Sequence, residues 1–217
     1  MANKPPRAER ISIPGPAGAL EALVEIPEPL DAGRFGVICH PHPLYGGTLD
    51  NKVVYTLARA FEELGAPAIR FNFRGVGASA GAFDRGSGEV DDALAVVAYG
   101  RQRWPGAALW MAGFSFGGAV AVRAEARARP DRLVAVAPGV TLLDVGSITP
   151  SCPWLIVQGG ADDVIEPRYV LDWASKLDPQ PELNVLEGAG HFFHGRLHDL
   201  RQAVLAFMRA PRRGATP

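Results

Sequence analysis

The chain has 217 residues, 47% hydrophobic and 21% charged, with a formal net charge of −1. That is enough for one domain with a sizeable core, 1–217, and the balance excludes a disordered polymer. The near-zero charge leaves no basic field for nucleic acid or acidic lipid, so neither is expected as a partner. No apolar run reaches the length of a membrane span, and the opening Met1-Ala2-Asn3-Lys4-Pro5-Pro6-Arg7 lacks a signal peptide's apolar core. Two cysteines, Cys39 and Cys152, have no metal-type spacing, so a cytoplasmic location with reduced thiols is expected.

In chain order, residues 1–8 and 211–217 are rich in Pro, Arg and Gly and read as loose tails. Arg10 to Ile13 and Ala19 to Ile26 read as an antiparallel edge hairpin around the turn Pro14-Gly15-Pro16-Ala17-Gly18. Strands and helices then alternate: strand Phe35 to Cys39, helix Asn51 to Leu64 stopped by Gly65, strand Pro67 to Phe73, helix Glu89 to Arg103. Glu89, Asp91 and Asp92 sit in that helix's first turn, where the dipole favours acids. Strand Ala107 to Ala112 and helix Phe116 to Arg129 follow, then strands Leu133 to Ala137 and Trp154 to Gln158. Helix Pro167 to Leu177, strand Leu183 to Leu186 and helix Gly195 to Met208 complete the pattern. Such alternation predicts an α/β fold, a mostly parallel sheet with helices on both faces.

The strand-to-helix junction near residue 115 reads Gly113-Phe114-Ser115-Phe116-Gly117. Gly-x-Ser-x-Gly at such a turn puts a serine hydroxyl at the carboxyl edge of the sheet and aims helix N–H groups at it. Chemistry in an open parallel sheet collects beyond the carboxyl ends of the strands. After the strand ending at Gln158 comes Gly159-Gly160-Ala161-Asp162-Asp163, and after the last strand comes Glu187-Gly188-Ala189-Gly190-His191. Ser115, an aspartate and His191 thus fall in the order known for strand-turn-helix serine hydrolases. Neutral imidazole, with a pKa near ~6.5, can take the serine proton and return it to a leaving group. A carboxylate would hold the ring's tautomer. Asp162 is the expected orienter, with Asp163 and Glu166 serving the loop and helix start; the adjacent Asp163 remains the alternative.

An oxyanion site needs backbone N–H donors. Phe116 is one candidate. The other comes from the loop His40-Pro41-His42-Pro43-Leu44-Tyr45-Gly46-Gly47, whose prolines have no N–H, leaving His42 and Leu44; His42 is the choice. His40 and His42 lack a third ligand at recognisable spacing, and His194 and His198 lack the zincin glutamate between them. No metal is expected. Gly75-Val76-Gly77 has the wrong spacing to Gly81 for a dinucleotide, and no cofactor is expected.

On these residues the chain resembles the α/β-hydrolase superfamily over nearly its whole length. More narrowly it is similar to small bacterial members marked by His40-Pro41-His42-Pro43-x-x-Gly46-Gly47 and Asp50-Asn51-Lys52-Val53-Val54. Phe73-Arg74-Gly75-Val76-Gly77-x-Ser79, Gly113-Phe114-Ser115-Phe116-Gly117-Gly118, Gly159-x-x-Asp162 and Gly190-His191 match too. The resemblance implies an α/β-hydrolase fold, a Ser115–Asp162–His191 triad and a carboxylesterase-like activity. Only sixteen positions, Pro138 to Pro153, separate two successive strands, too few for a helical cap. An open site is therefore expected, with Tyr45, Phe114, Leu142 and Phe192, and also Phe116, Val140 and Leu143, as candidates to line an apolar acyl pocket.

The reaction these residues suggest is hydrolysis of a small short-chain ester through an acyl-enzyme. The same triad would serve a thioesterase, amidase or small-peptide hydrolase, and a non-catalytic ligand-binding member of the fold is the reading from another class.

Overall fold

A computed structural model describes residues 6–146 and 148–211. Eight strands form one sheet in the order β1-β2-β4-β3-β5-β6-β7-β8. The strands are β1 Arg7–Gly15, β2 Gly18–Ile26, β3 Arg34–Cys39, β4 Ala68–Phe71, β5 Ala108–Phe114, β6 Arg132–Val136, β7 Trp154–Gly159 and β8 Glu182–Leu186. β1 and β2 pair antiparallel, β2 joins β4 antiparallel, and every later pairing is parallel. The helices are α1 Lys52–Glu63, α2 Ser87–Arg103, α3 Phe116–Ala128, α4 Pro167–Ser175 and α5 Leu197–Arg209.

Strand parity sorts the core into two layers. Val37, Met111, Ala135 and Ile156 point to the layer filled by Val96, Val120 and Val170 of α2, α3 and α4. Ile38, Ala112, Val134 and Val157 point to the layer filled by Leu57, Phe61 and Val204 of α1 and α5. The central strands are buried on both faces, which is why they read as unbroken apolar runs. α1 starts where Asn51 caps it, its side chain accepting from the N–H groups of Val53 and Val54.

Several boundaries differ from the sequence expectation for identifiable reasons. Arg7 and Ala8 are not tail; they pair with Ile26 and Glu25 in β1. Residues 1–5 and 212–217 of the expected tails lie outside the described residues. β4 ends by Phe73, whose N–H leaves the sheet for His40 Nε2, while the Asn72 N–H makes a last bond to Glu21 O of β2. α2 begins at Ser87, before Glu89, because the Glu89 carboxylate reaches back to the N–H groups of Gly86 and Asp84. With α2 starting at Ser87, Asp92 lies beyond its first turn, where Glu89 is the acid. Asp92 is fully buried and binds the Arg74 guanidinium through both oxygens, anchoring the loop after β4. Gly195, at φ 71°, lies in a turn, so α5 starts at Leu197 and His194 shares no helix with His198.

Between β6 and β7 no α-helix occurs among the described residues, and nothing there covers the carboxyl edge as a cap domain would. No described helix is long and apolar enough to cross a membrane.

Candidate active site

β5 runs straight into α3, and Ser115 forms the corner at φ 55°, ψ −120°. A non-glycine residue held in that region is strained backbone, tolerated only where its surroundings over-determine it. Two glycines make the corner possible. A Cβ on Gly113 would overlap the Gly117 carbonyl, and a Cβ on Gly117 would overlap the backbone of Cys39 and His40 at the end of β3. The Ser115 N–H is held by Val136 O of β6 at 2.9 Å, and its carbonyl accepts from Gly139 N–H at 2.9 Å.

Three side chains from three loops meet at this edge. The Ser115 Oγ stands 3.1 Å from His191 Nε2, and His191 Nδ1 stands 2.8 Å from Asp162 Oδ2. The carboxylate can only accept, so Nδ1 carries the proton and Nε2 is left to accept from the serine hydroxyl. All three residues are buried. Asp162 Oδ1 accepts from the N–H groups of Val164 and Ile165 at 2.9 and 2.8 Å. Burial pushes the Asp162 carboxyl up, but the bond from His191 and the Ile165 and Val164 amides outweigh it, and its pKa falls below the ordinary value. Asp163 is exposed.

The β3 loop closes one side. His40 is fully buried, with Nδ1 donating to Pro41 O at 2.6 Å and Nε2 accepting from Phe73 N–H at 3.0 Å. Both ring nitrogens are thereby committed to backbone. Burial lowers the His40 pKa to about 4, against the opposing Pro41 bond, and the ring is neutral at pH 7. The Leu44 N–H is spent on His42 Nδ1 at 3.2 Å, and the Tyr45 and Gly47 N–H groups on His42 O. Of the two N–H groups the sequence offered, that of His42 alone has no acceptor among the described residues. The His42 ring lies 4.9 Å from the Phe116 ring, and the backbone at Gly117 packs directly against that of Cys39 and His40. The Phe116 N–H is at the first position of α3, outside that helix's own bonding ladder. Burial lowers the His42 pKa, with Glu89 opposing.

The expected pocket residues divide. Tyr45, at 83% exposure, Leu142 and Phe192 are exposed, on loops that follow β3, β6 and β8. Phe114 is not. It is fully buried, its ring 4.9 Å below that of His191, where it supports the imidazole from beneath and lines no open surface. Phe116 and Leu143 are likewise buried; Val140 is half-buried. Two residues went unrecognised in the sequence. Phe83, half-buried, places its ring 4.9 Å from His42 and 5.8 Å from Phe116. A Cβ on Gly139 would sit 3.2 Å from both Phe116 N and Leu142 Cδ1, so a side chain there would crowd the Phe116 N–H, one of the two expected oxyanion donors. Its signal was the Pro138-Gly139 pair directly after a parallel strand.

Comparison with known proteins gives a consistent picture. The model of the family "Serine aminopeptidase, S33" matches residues 46–145. An uncharacterized protein of Rickettsia prowazekii (strain Madrid E) is 34% identical over 202 residues, spanning 88% of this chain and 84% of that one. A lidless α/β serine hydrolase from Xanthomonas campestris is 42% identical with a TM-score of 0.91, covering 99% of both chains. An α/β serine hydrolase homologue from Coxiella burnetii is also 42% identical, with a TM-score of 0.86 over 91% of this chain and 96% of that one.

Proposed function

Because the chain belongs to the α/β serine hydrolases, among those without a lid, we propose that it hydrolyses short-chain carboxylic esters through an acyl-enzyme. Ser115 is the nucleophile in this reading, His191 the general base and then acid, and Asp162 the orienter. The observation that carries it is the unbroken line of contacts from Asp162 Oδ2 through both ring nitrogens of His191 to Ser115 Oγ.

Ser115 Oγ attacks the ester carbonyl as His191 Nε2 takes its proton. The carbonyl oxygen becomes an anion between the N–H groups of Phe116 and His42, helped by the positive end of α3. Asp162 stabilises the imidazolium without taking its proton. The intermediate collapses, the alcohol leaves with the proton from His191, and water repeats the sequence to release the acid. No metal or organic cofactor enters these steps. The open, apolar edge at Tyr45, Leu142 and Phe192 supports small hydrophobic acyl groups bound from solvent. The free cysteines, Cys39 and Cys152, are compatible with work in the cytoplasm.

A second reading, cleavage of a small peptide or amide by the same residues, is favoured by the match to the serine aminopeptidase model over residues 46–145. Turnover of p-nitrophenyl acetate, butyrate and octanoate beside the matching anilides separates the two. The ester reading expects the esters to dominate and S115A to remove that turnover. Turnover that survives S115A would end both.

A further inference from the structure

We propose that Gln158 is a positioning residue for the reaction, holding the loop of Asp162 so that Oδ2 faces His191. This rests on the hydrolase reading above. Gln158 is the penultimate residue of β7, and its side chain is completely buried. Its amide nitrogen lies 3.1 Å from Asp162 Oδ2, 3.2 Å from Ile165 O and 3.4 Å from Gly159 O. All three are acceptors, so the amide group has one sensible orientation: a reversed side chain would turn its oxygen on three oxygens.

Two features separate this residue from ordinary strand packing. First, Asp162 Oδ2 receives both the Gln158 N–H and the His191 N–H, while Oδ1 takes the two backbone N–H groups. Gln158 also grips the carbonyl of Ile165, whose own N–H binds Oδ1. The side chain therefore ties the start of the loop, its carboxylate and its far end into one rigid unit. Second, Gln158 Oε1 is buried and has no hydrogen-bond partner among the described residues. Its strand neighbours on the same face, Trp154 and Ile156, are apolar and belong to the core layer that also contains Ile165. A leucine or methionine would fill that face without burying an unpaired carbonyl. A polar residue that carries such a penalty in a core strand, and spends its donors on the orienting carboxylate, is explained by the carboxylate's task.

The consequence is geometric and electrostatic. Without the Gln158 donor, Asp162 Oδ2 can swing away from Nδ1, and the tautomer that leaves Nε2 free to accept is no longer enforced. Substrate meets Phe116, His42 and the open rim as before, so binding is untouched.

The test compares wild type, S115A, Q158M and Q158E with p-nitrophenyl acetate from pH 6 to 9. Q158M keeps length and volume but removes the donor. It is expected to lower kcat on the order of 10–100-fold with KM within about twofold. Q158E is nearly isosteric. While protonated, the introduced carboxyl can still donate to Asp162 Oδ2; once ionised it faces three acceptors and repels the carboxylate. Asp162 touches it and His191 lies one hydrogen bond further on, so its ionisation acts directly on the triad. Its rate relative to wild type is therefore expected to fall steadily as pH rises, a trend that loss of packing alone would not produce. Should Q158M fail to fold, the pH trend of Q158E decides. Wild-type kcat in Q158M, or a Q158E ratio that stays flat with pH, overturns the positioning role. Failure of wild type itself to turn over any ester, with or without S115A, overturns instead the hydrolase reading beneath it.

Discussion

Gly117 and His40 pack so closely that a methyl group on Gly117 would overlap the His40 carbonyl oxygen. The first turn of α3 and the end of β3 are thus fitted to each other without a side chain between them. The fit matters because each backbone carries one proposed oxyanion donor, Phe116 on one and His42 on the other. The His40 ring fixes the β3 side further by bridging Pro41 O and Phe73 N–H.

G117A must therefore push the β3 loop away from α3. The expected loss in kcat is about 10²–10³, the usual cost of losing one oxyanion donor, with a smaller change in KM. Steady-state kinetics on a short ester check it; kcat within threefold of wild type would separate the close approach from catalysis.

D162N should leave the fold intact yet lower kcat by about 10⁴, because an amide can present its N–H to Nδ1 and reverse the tautomer. D163N should stay within about twofold of wild type, since Asp163 is exposed and faces solvent. Equal losses in the two variants would contradict the assignment of the orienter.

Two buried groups give stability opposite dependences on pH. His40 has its pKa lowered to about 4, so the unfolded chain binds more protons between about 4 and the ordinary 6.5. Its contribution is full above that window and is lost as pH falls through it. Glu62, in contact with Arg59, has its pKa raised to about 7 by burial and by Glu25, with Arg59 and Arg70 opposing. The fold then binds more protons than the unfolded chain between the ordinary 4.5 and about 7, and the Glu62 penalty grows as pH rises. The two slopes oppose each other between about 4.5 and 6.5. Urea unfolding across pH 4 to 8 should show E62Q gaining about 1–3 kcal/mol more stability with rising pH than wild type, and H40Q the reverse. A parallel shift of either variant at all pH values would contradict the linkage.

The apolar rim predicts a selective effect on binding. Y45A, L142A and F192A should each raise KM for octanoate esters about three- to tenfold while leaving acetate turnover nearly unchanged, as expected for roughly 1 kcal/mol of apolar contact per side chain. Equal loss for acetate and octanoate would assign these residues to structure instead.

Much of the architecture was legible because a parallel sheet covered on both faces writes its strands as apolar runs such as Leu155-Ile156-Val157. The loop carrying Asp162 was legible because it directly follows such a run; the loop carrying His191 follows the half-exposed edge strand β8 and was marked by its Gly-Ala-Gly-His sequence instead. Phe114 was misread as pocket-facing, although parity held the answer. It shares a strand face with Trp110 and Ala112, which turn into the α1–α5 layer. The early end of β4 was hidden because it depends on His40, 33 positions away, capturing the Phe73 N–H. Phe83 lies in a loop with no periodicity to mark it, and Gln158 looked like the polar end of a strand until its three acceptors were in place.

The central claim is that the Ser115 hydroxyl, activated by His191, attacks electrophiles from solvent. Intact mass spectrometry after exposure to a fluorophosphonate tests it most directly. One adduct is expected on wild type, mapped by digestion to Ser115, formed far more slowly in H191A and absent in S115A. No adduct on folded wild-type protein, or the same adduct on S115A, would contradict the account.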